Sequence, residues 1–150
     1  MNKVALFTSN TEEWATPQSF FDALNEEFHF DLDPCATDDN HKCDSYFTKS
    51  DNGLNKDWGG HRVFCNPPYG KQKTADWIKK CAAEAQKPNT IIVLLIPART
   101  DTKAFHEYIY QKKNVEVRFV KGRIKFVGAK DSAPFPSMVC IFRGKEEPGK

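Results

Sequence analysis

The sequence lacks a long hydrophobic run and an export signal. Its longest apolar stretch, "IIVLLIPA" at residues 91–98, is far shorter than the roughly 20 residues that a membrane-spanning helix needs. The opening stretch "MNKVALFTSN" has too few consecutive apolar residues for a signal peptide. We therefore expect a cytoplasmic protein with no membrane partner.

The sequence also lacks paired cysteines. Its five cysteines form an odd set without a CxxC pair, which in a chain without an export signal is typical of reduced thiols. The metal alternative rests on Cys35, His41 and Cys43, whose spacing matches no common zinc pattern. We expect no metal site.

Charge is unevenly distributed, although the net charge is only +2. Residues 1–60 contain four Lys or Arg against twelve Asp or Glu, whereas residues 99–130 contain nine against three. A basic region of this kind is typical of phosphate binding. For the basic stretch taken alone, a solvated helix followed by a charged edge strand is at least as good an interpretation.

Helical and strand patterns alternate along residues 16–120 and then give way to strands alone. Thr16 is expected to cap the first helix, with Pro17 at its first position. The other predicted elements are a strand from residue 28 that ends at Pro34, a strand at 61–65, a helix at 74–86, a strand at 90–97, a helix at 102–112, and strands at 115–120, 123–127 and 137–143. This order predicts one α/β domain over residues 1–150, with an open sheet that is parallel in the middle and has an antiparallel hairpin at one edge. Phe20, Phe21, Leu24, Phe28, Trp58 and Trp77 are expected in the core.

Three predicted strands end next to polar or turn residues, namely Asp33, Asn66 and Pro97. In open α/β sheets, ligands bind beyond the carboxyl ends of the strands. We expect these three regions to meet at one crevice, although a carboxylate such as Asp33 can equally cap the turn that follows it.

The stretch "NPPY", residues 66–69, is stiff because two prolines fix the backbone and remove its donors. The Asn66 side-chain oxygen and the Pro67 carbonyl oxygen can bind both N–H groups of an exocyclic amine, so that its lone pair becomes available for attack. Tyr69 offers a ring on which a planar base could stack, a contact of about 1–3 kcal/mol. Such a site suits methyl transfer, but a lone tetrad is equally compatible with a simple turn.

Five ordered blocks reduce the weight of that alternative: "EWATPQSFFDAL", "FDLDPCA", "DNGLNKDW", "VFCNPPYG" and "PARTDTKAFH". Together they resemble the phage-type DNA N-6-adenine methyltransferases over roughly residues 12–143. The resemblance implies a Rossmann-like methyltransferase sheet and S-adenosylmethionine as cofactor. It also implies catalytic roles for Asn66, Pro67, Pro68 and Tyr69. The residues it implies for cofactor binding are Thr16, Pro17, Asp33, Pro34, Cys35 and Asp51. One departure is that "DPCATDDN" contains no glycine, whereas many methyltransferases have a glycine-rich turn there.

The implied substrate is DNA, methylated at adenine N6 in the cytoplasm of the host cell if the protein is phage-encoded. Arg99, Lys103, Lys121 and Arg123 are the candidate DNA-binding residues, although a surface salt bridge is the alternative for Arg99. Other acceptors remain open: cytosine N4, RNA adenine or a protein glutamine amide. An inactive DNA-binding module is a further alternative, and the sequence predicts no oligomeric state.

Overall fold

The computed structural model describes residues 14–145. Three α-helices, six strands and one short 3₁₀ helix make up the regular structure of this part of the chain. The helices are α1 (Gln18–Phe28), α2 (Lys71–Glu84) and α3 (Lys103–Tyr108), and the 3₁₀ helix is Gly53–Asn55. The strands are β1 (Asp33–Ala36), β2 (Tyr46–Thr48), β3 (Arg62–Cys65), β4 (Ile91–Pro97), β5 (Val115–Phe119) and β6 (Ser137–Arg143).

The sheet confirms the predicted α/β architecture. Four strands pair in the order β3-β4-β6-β5, and β1 pairs with β2. Leu32, directly before β1, bridges Val63 of β3 in parallel, so the full order reads β2-β1-β3-β4-β6-β5. β1 and β2 are parallel, as are β3 and β4, whereas β6 is antiparallel to both of its neighbours. The β5–β6 pair provides the predicted antiparallel edge, although the sequence pattern did not specify which strands would form it.

Helices α1 and α2 cover opposite faces of the sheet. Successive strand residues point to opposite sides, and Phe64 of β3 contacts Phe21 of α1, with ring centroids 5.2 Å apart. The next residue, Cys65, lies against Cys81 of α2. Strand β4 is buried from Ile92 to Pro97, and only its first residue, Ile91, is partly exposed. The strand is buried because both faces of the sheet are covered. Trp58 and Trp77 are buried as expected, at 0% and 7% exposure.

The predicted first strand is wrong in its position. Helix α1 continues to Phe28, His29 ends it in the left-handed conformation, and β1 begins only at Asp33. The strand does not stop at Pro34, because the ladder between β1 and β2 changes register between Asp33 and Ala36. A register shift leaves a position where a proline without an N–H is tolerated.

Other boundaries also differ from the prediction. Helix α2 begins three residues earlier than residue 74, and α3 ends at Tyr108 rather than at 112. Residues 123–127 form no strand. Ile124 and Phe126 alternate with exposed neighbours because they pack inward, and this burial produced the strand-like pattern.

Two features are absent from the described residues. No helix among residues 14–145 is long and apolar enough to cross a bilayer. All five cysteines fall in this range, and none of them forms a disulfide. The opening stretch of the sequence lies outside the described residues.

Candidate active site

A cavity of about 990 Å³ opens beside the carboxyl end of β3. This volume is at the upper end of the range for small-molecule sites. It is lined by Asn66, Pro67 and Pro68 together with Thr16, Asp33, Pro34 and Cys35, so the structure brings most of the predicted site residues to one place. Pro97, expected at the same crevice, is not part of the lining.

Both polar ends of the Asn66 side chain are held by the protein. Its Nδ2 donates to the Thr16 hydroxyl at 2.8 Å and to the carbonyl oxygen of Trp14. Its Oδ1 accepts a hydrogen bond from the Tyr69 hydroxyl at 2.7 Å. Because an amide oxygen has two lone pairs, Oδ1 keeps one for a ligand. These contacts also define which end of the amide is the oxygen.

Tyr69 is an internal residue rather than a wall of the cavity. Its ring is 6% exposed and lies edge-to-face with Phe126 and Phe135, at centroid distances of 6.3 and 5.7 Å. Its hydroxyl also approaches the Leu95 carbonyl oxygen at 3.1 Å, but the shorter contact to Asn66 takes the single proton more readily. A base could stack on this ring only if Phe126 and Phe135 moved.

The buried Tyr69 hydroxyl is the donor in its hydrogen bond to Asn66. Desolvation raises the pKa of Tyr69 well above its usual range, because the ionised phenol would be poorly solvated. The phenol therefore stays protonated at neutral pH. Its hydrogen bond holds the Asn66 oxygen in place, and Asn66 lines the cavity whereas Tyr69 does not.

The Pro67 carbonyl is the second acceptor at this wall. Proline at 68 restricts the conformation of Pro67, and both prolines line the cavity. No donor among the described residues bonds to the Pro67 carbonyl oxygen. The Asn66 oxygen and this carbonyl are therefore two neighbouring acceptors on a backbone with little freedom.

Thr16 does not cap α1 as expected. The N-cap position of α1 is occupied by Pro17, and no side chain caps the helix. The Thr16 hydroxyl instead accepts the hydrogen bond from Asn66, and the residue is 3% exposed. Pro17 is not part of the cavity lining. Its carbonyl accepts from the main-chain N–H of Phe21.

Asp33 lines the cavity and accepts two main-chain hydrogen bonds. Its two carboxylate oxygens accept from the main-chain N–H groups of Cys35, at 3.3 Å, and of Lys42, at 2.9 Å. The residue is 4% exposed. Burial raises the pKa of Asp33, although the two N–H groups act in the opposite direction. The capping alternative is thus correct for Asp33, and the residue lines the cavity as well.

Asp51 contributes to a turn and not to the lining. Its Oδ2 accepts from the main-chain N–H of Thr48 at 2.8 Å and from the Thr48 hydroxyl at 3.1 Å. These bonds lower the pKa of Asp51. The neighbouring residues Asn52 and Gly53 do reach the cavity. A side chain at Gly53 would collide with the Pro34 carbonyl oxygen, so glycine allows this turn to lie directly against β1.

The basic candidates fall into two groups. Lys121 and Arg123 are exposed and line an open groove of about 400 Å³ with Pro17 and Ser19 at the start of α1, next to Thr16. Arg99 and Lys103 are also exposed but lie after β4 and line neither the cavity nor the groove. The structure therefore brings only Lys121 and Arg123 close to the candidate active site.

No metal centre is found within the range 14–145: no group of three or more His, Cys, Asp or Glu residues is placed to bind an ion. His41 instead stacks on Tyr46, with ring centroids 4.0 Å apart. Burial raises the pKa of Cys43 to about 12, which disfavours the thiolate that a metal would need.

Sequence reasoning missed several residues that line the cavity. They are Lys42, Asn52, Gly53, Leu54 and Trp77. The block "DNGLNKDW" carried a signal for three of them, since a Gly in a polar stretch often marks a close backbone approach. Lys42 had no such signal, because its position depends on hydrogen bonds to Asp33 and to α1.

The sheet order, the cavity at the strand ends and the tetrad beside it are compatible with an enzyme that transfers a group to an amine. Comparison with known proteins is more specific. The family described as DNA N-6-adenine-methyltransferase (Dam) matches residues 3–149. A DNA N-6-adenine-methyltransferase of Haemophilus phage HP1 is 28% identical over 152 residues, covering 97% of this chain and 86% of that protein. One of Escherichia phage T1 is 32% identical over 96 residues, covering 63% of this chain and 39% of that protein.

The chain belongs to the DNA N-6-adenine-methyltransferase (Dam) family. As a member, it is an adenine-specific DNA methyltransferase with a Rossmann-like fold. The predicted family, fold class and type of reaction are confirmed.

Proposed function

We propose that residues 1–150 act as a single domain that moves a methyl group from S-adenosylmethionine to adenine N6 of DNA, with the reacting amine held by Asn66 and Pro67. The observation that supports this assignment best is the pair of acceptors at the cavity wall. The Asn66 Oδ1 keeps a lone pair for a ligand, and the Pro67 carbonyl has no donor among the described residues.

The two acceptors provide what an aromatic amine needs in order to react. The nitrogen lone pair of adenine N6 is delocalised into the ring, so the amine is a poor nucleophile. Acceptors for both N–H groups favour a tetrahedral nitrogen and stabilise the positive charge that develops on it. Tyr69 and Thr16 keep the Asn66 amide in the required orientation through its two ends, so little reorganisation is needed during the reaction.

The remaining lining suits the cofactor. S-adenosylmethionine, when bound, supplies a methyl group activated by a sulfonium. The cavity offers a carboxylate at Asp33, an ammonium at Lys42 and the aromatic side chains of Phe64 and Trp77. This set of charged and aromatic groups fits a ligand with an amino-acid end and a nucleoside end. We assign Thr16, Asp33, Pro34 and Cys35 to the cofactor side of the cavity. Asp51 acts indirectly, through the turn that carries Asn52 and Gly53.

Basic residues near the start of α1 are proposed to bind the DNA backbone. Lys121 and Arg123 lie beside the segment that carries Thr16, while Arg99 and Lys103 would contact phosphates further from the cavity. In a duplex, the adenine must leave the stack to reach Asn66. This substrate would place the enzyme in the cytoplasm, where the DNA is.

A direct test incubates the purified protein with unmethylated DNA and isotope-labelled S-adenosylmethionine and identifies the modified nucleoside by mass spectrometry. We expect N6-methyladenine. Parallel reactions contain RNA of the same sequence and a glutamine-containing protein extract. N4-methylcytosine, or label in RNA or protein but not in DNA, would contradict the proposed acceptor.

A further inference from the structure

Lys42 differs from the other two lysines that line the cavity, Lys49 and Lys73. Those two are exposed, whereas Lys42 is half-buried. Its ammonium makes no ion pair with any residue in the described range. The nitrogen Nζ donates to a neutral group, the side-chain oxygen of Gln18, at 3.0 Å.

Gln18 is itself oriented for this contact. Its Nε2 donates to Asp22 Oδ1 at 2.8 Å, which turns its oxygen toward Lys42. The backbone of Lys42 is fixed too, because its N–H donates to Asp33 Oδ2 at 2.9 Å. Burial lowers the pKa of Lys42, while the charges of Asp33 and Asp22 oppose this effect. The ammonium is thus held beside the cavity, through an exposed hydrogen bond to a partner that does not neutralise it.

Lys42 is linked through Gln18 to the segment that holds Asn66. Gln18 follows Thr16 by two residues, and Thr16 accepts the hydrogen bond from Asn66 at 2.8 Å. In the cofactor, a short aliphatic chain joins the sulfonium to an ammonium and a carboxylate. If the sulfonium lies near Asn66, the aliphatic chain can reach the region of Asp33 and Lys42. The carboxylate at the end of that chain then requires a cation in this region.

We propose that Lys42 binds the carboxylate of the cofactor's amino-acid end, with Gln18 positioning the ammonium before the cofactor arrives. This inference rests on the proposed use of S-adenosylmethionine. Many methyltransferases have a glycine-rich turn after the first strand, which this chain lacks. The proposal assigns the contact with the cofactor's carboxylate to a side chain instead. The partly buried setting strengthens the pairing relative to one at Lys49 or Lys73.

The test is a calorimetric comparison of two ligands, S-adenosylhomocysteine and the same compound without its carboxylate. The native protein is expected to bind the complete ligand about tenfold more tightly than the decarboxylated one. Lys42→Met should bind both with equal affinity, and the affinity for the decarboxylated compound should stay at the native value. Lys42→Arg should restore the preference.

Two further variants complete the comparison. Lys49→Met lines the same cavity and should keep the native preference for the carboxylate. Gln18→Ala keeps the ammonium but removes its positioning partner, so its preference should lie between those of the native protein and Lys42→Met. Thermal unfolding shows whether each variant is folded. If Lys42→Met keeps the preference, or loses affinity equally for both ligands, the role of Lys42 is wrong while cofactor binding stands. If the native protein binds neither ligand, both the proposed cofactor site and the role of Lys42 are wrong.

Discussion

The interior of the cavity and the basic segment at residues 121–130 differ in how their polar groups are paired. Inside, Asn66 is bonded at both ends, and both oxygens of Asp33 meet main-chain donors. On the basic segment, Lys121, Lys125 and Lys130 are exposed and form no ion pair within residues 14–145. Reaction geometry is thus fixed before the substrate arrives, while attraction of DNA depends on solvated charges.

The underside of the same basic segment belongs to the interior. Phe126 packs against Trp14, with ring centroids 5.5 Å apart, and against Tyr69. Val127 donates its main-chain N–H to Ala15 at 2.9 Å, directly before Thr16. Binding of phosphates on the outer side can therefore affect the aromatic residues around the tetrad. Substitutions on the exposed side of this segment should nevertheless change DNA binding separately from those on its buried side, which should change the reaction rate.

The largest effect is expected at Asn66. Asn66→Ala removes one of the two acceptors for the amine, and we expect kcat to fall about 10²–10³-fold, as for the loss of one preorganised group at a transition state. The Tyr69 hydroxyl can then turn to the Leu95 carbonyl oxygen at 3.1 Å, so the fold should persist. Methylation assays with labelled cofactor measure the rate, and calorimetry with S-adenosylhomocysteine should give unchanged cofactor affinity. Asn66→Asp keeps an acceptor oxygen and should be intermediate, so native activity of Asn66→Ala would contradict the assignment.

The next largest effect is expected from the basic segment. Replacing both Lys121 and Arg123 by Gln should reduce the slope of log affinity against log salt by about 2 for duplex DNA. Arg118→Gln is the matched control, because Arg118 already forms a two-pronged pair with Glu27, at 2.7 Å for each contact, and a further pair with Glu116. Filter-binding titrations over a range of salt concentrations measure the slopes. Equal slopes for the double variant and the native protein would show that DNA binds elsewhere.

A smaller effect is expected at Thr16. Thr16→Val removes the hydroxyl that accepts from Asn66 Nδ2, at a cost of about 1 kcal/mol, so kcat should fall about fivefold to tenfold. Thr16→Ser keeps the hydroxyl and should retain the native rate. Affinity for S-adenosylhomocysteine separates the two roles of Thr16. If Thr16→Val mainly weakens this affinity and leaves kcat unchanged, contact with the cofactor and not positioning of Asn66 is the main role of Thr16.

The smallest effect concerns the pH dependence of stability at Asp33. Burial raises its pKa above the ordinary value of 3.8, so the folded state binds a proton more readily than the unfolded state. The contribution of Asp33 to the free energy of unfolding is therefore greatest below pH 3.8 and decreases as the pH rises through the raised pKa. Asp33→Asn should become more stable relative to the native protein over this range. Urea unfolding at several pH values measures it, and the opposite trend would mean that the two main-chain bonds outweigh burial.

The stiffness of the tetrad and the α/β sheet could be predicted from the sequence because both depend on local chemistry. The two prolines stiffen the chain wherever they are placed, and the buried run in β4 follows from being covered on both faces. Thr16, by contrast, was assigned to the nearest helix end, whereas its partner Asn66 is 50 residues away in the sequence. Such a choice between a local and a distant partner has no signature in the sequence pattern.

Burial of Tyr69 could not be predicted for a similar reason. The tetrad places a ring next to Asn66, but Phe126 and Phe135 decide whether that ring faces the cavity, and they follow more than fifty positions later. Residues 123–127 were expected to form a strand, so their packing against Trp14 and Tyr69 was not foreseen. Lys42 was missed because only the fold brings it to Gln18.

The most direct measurement is a crystal structure of the enzyme with S-adenosylhomocysteine and a duplex that carries its target adenine. The Asn66 Oδ1 and the Pro67 carbonyl oxygen should each lie about 2.6–3.2 Å from adenine N6. Phe126 and Phe135 should have moved if the base stacks on Tyr69. An adenine whose N6 contacts neither oxygen would contradict the account.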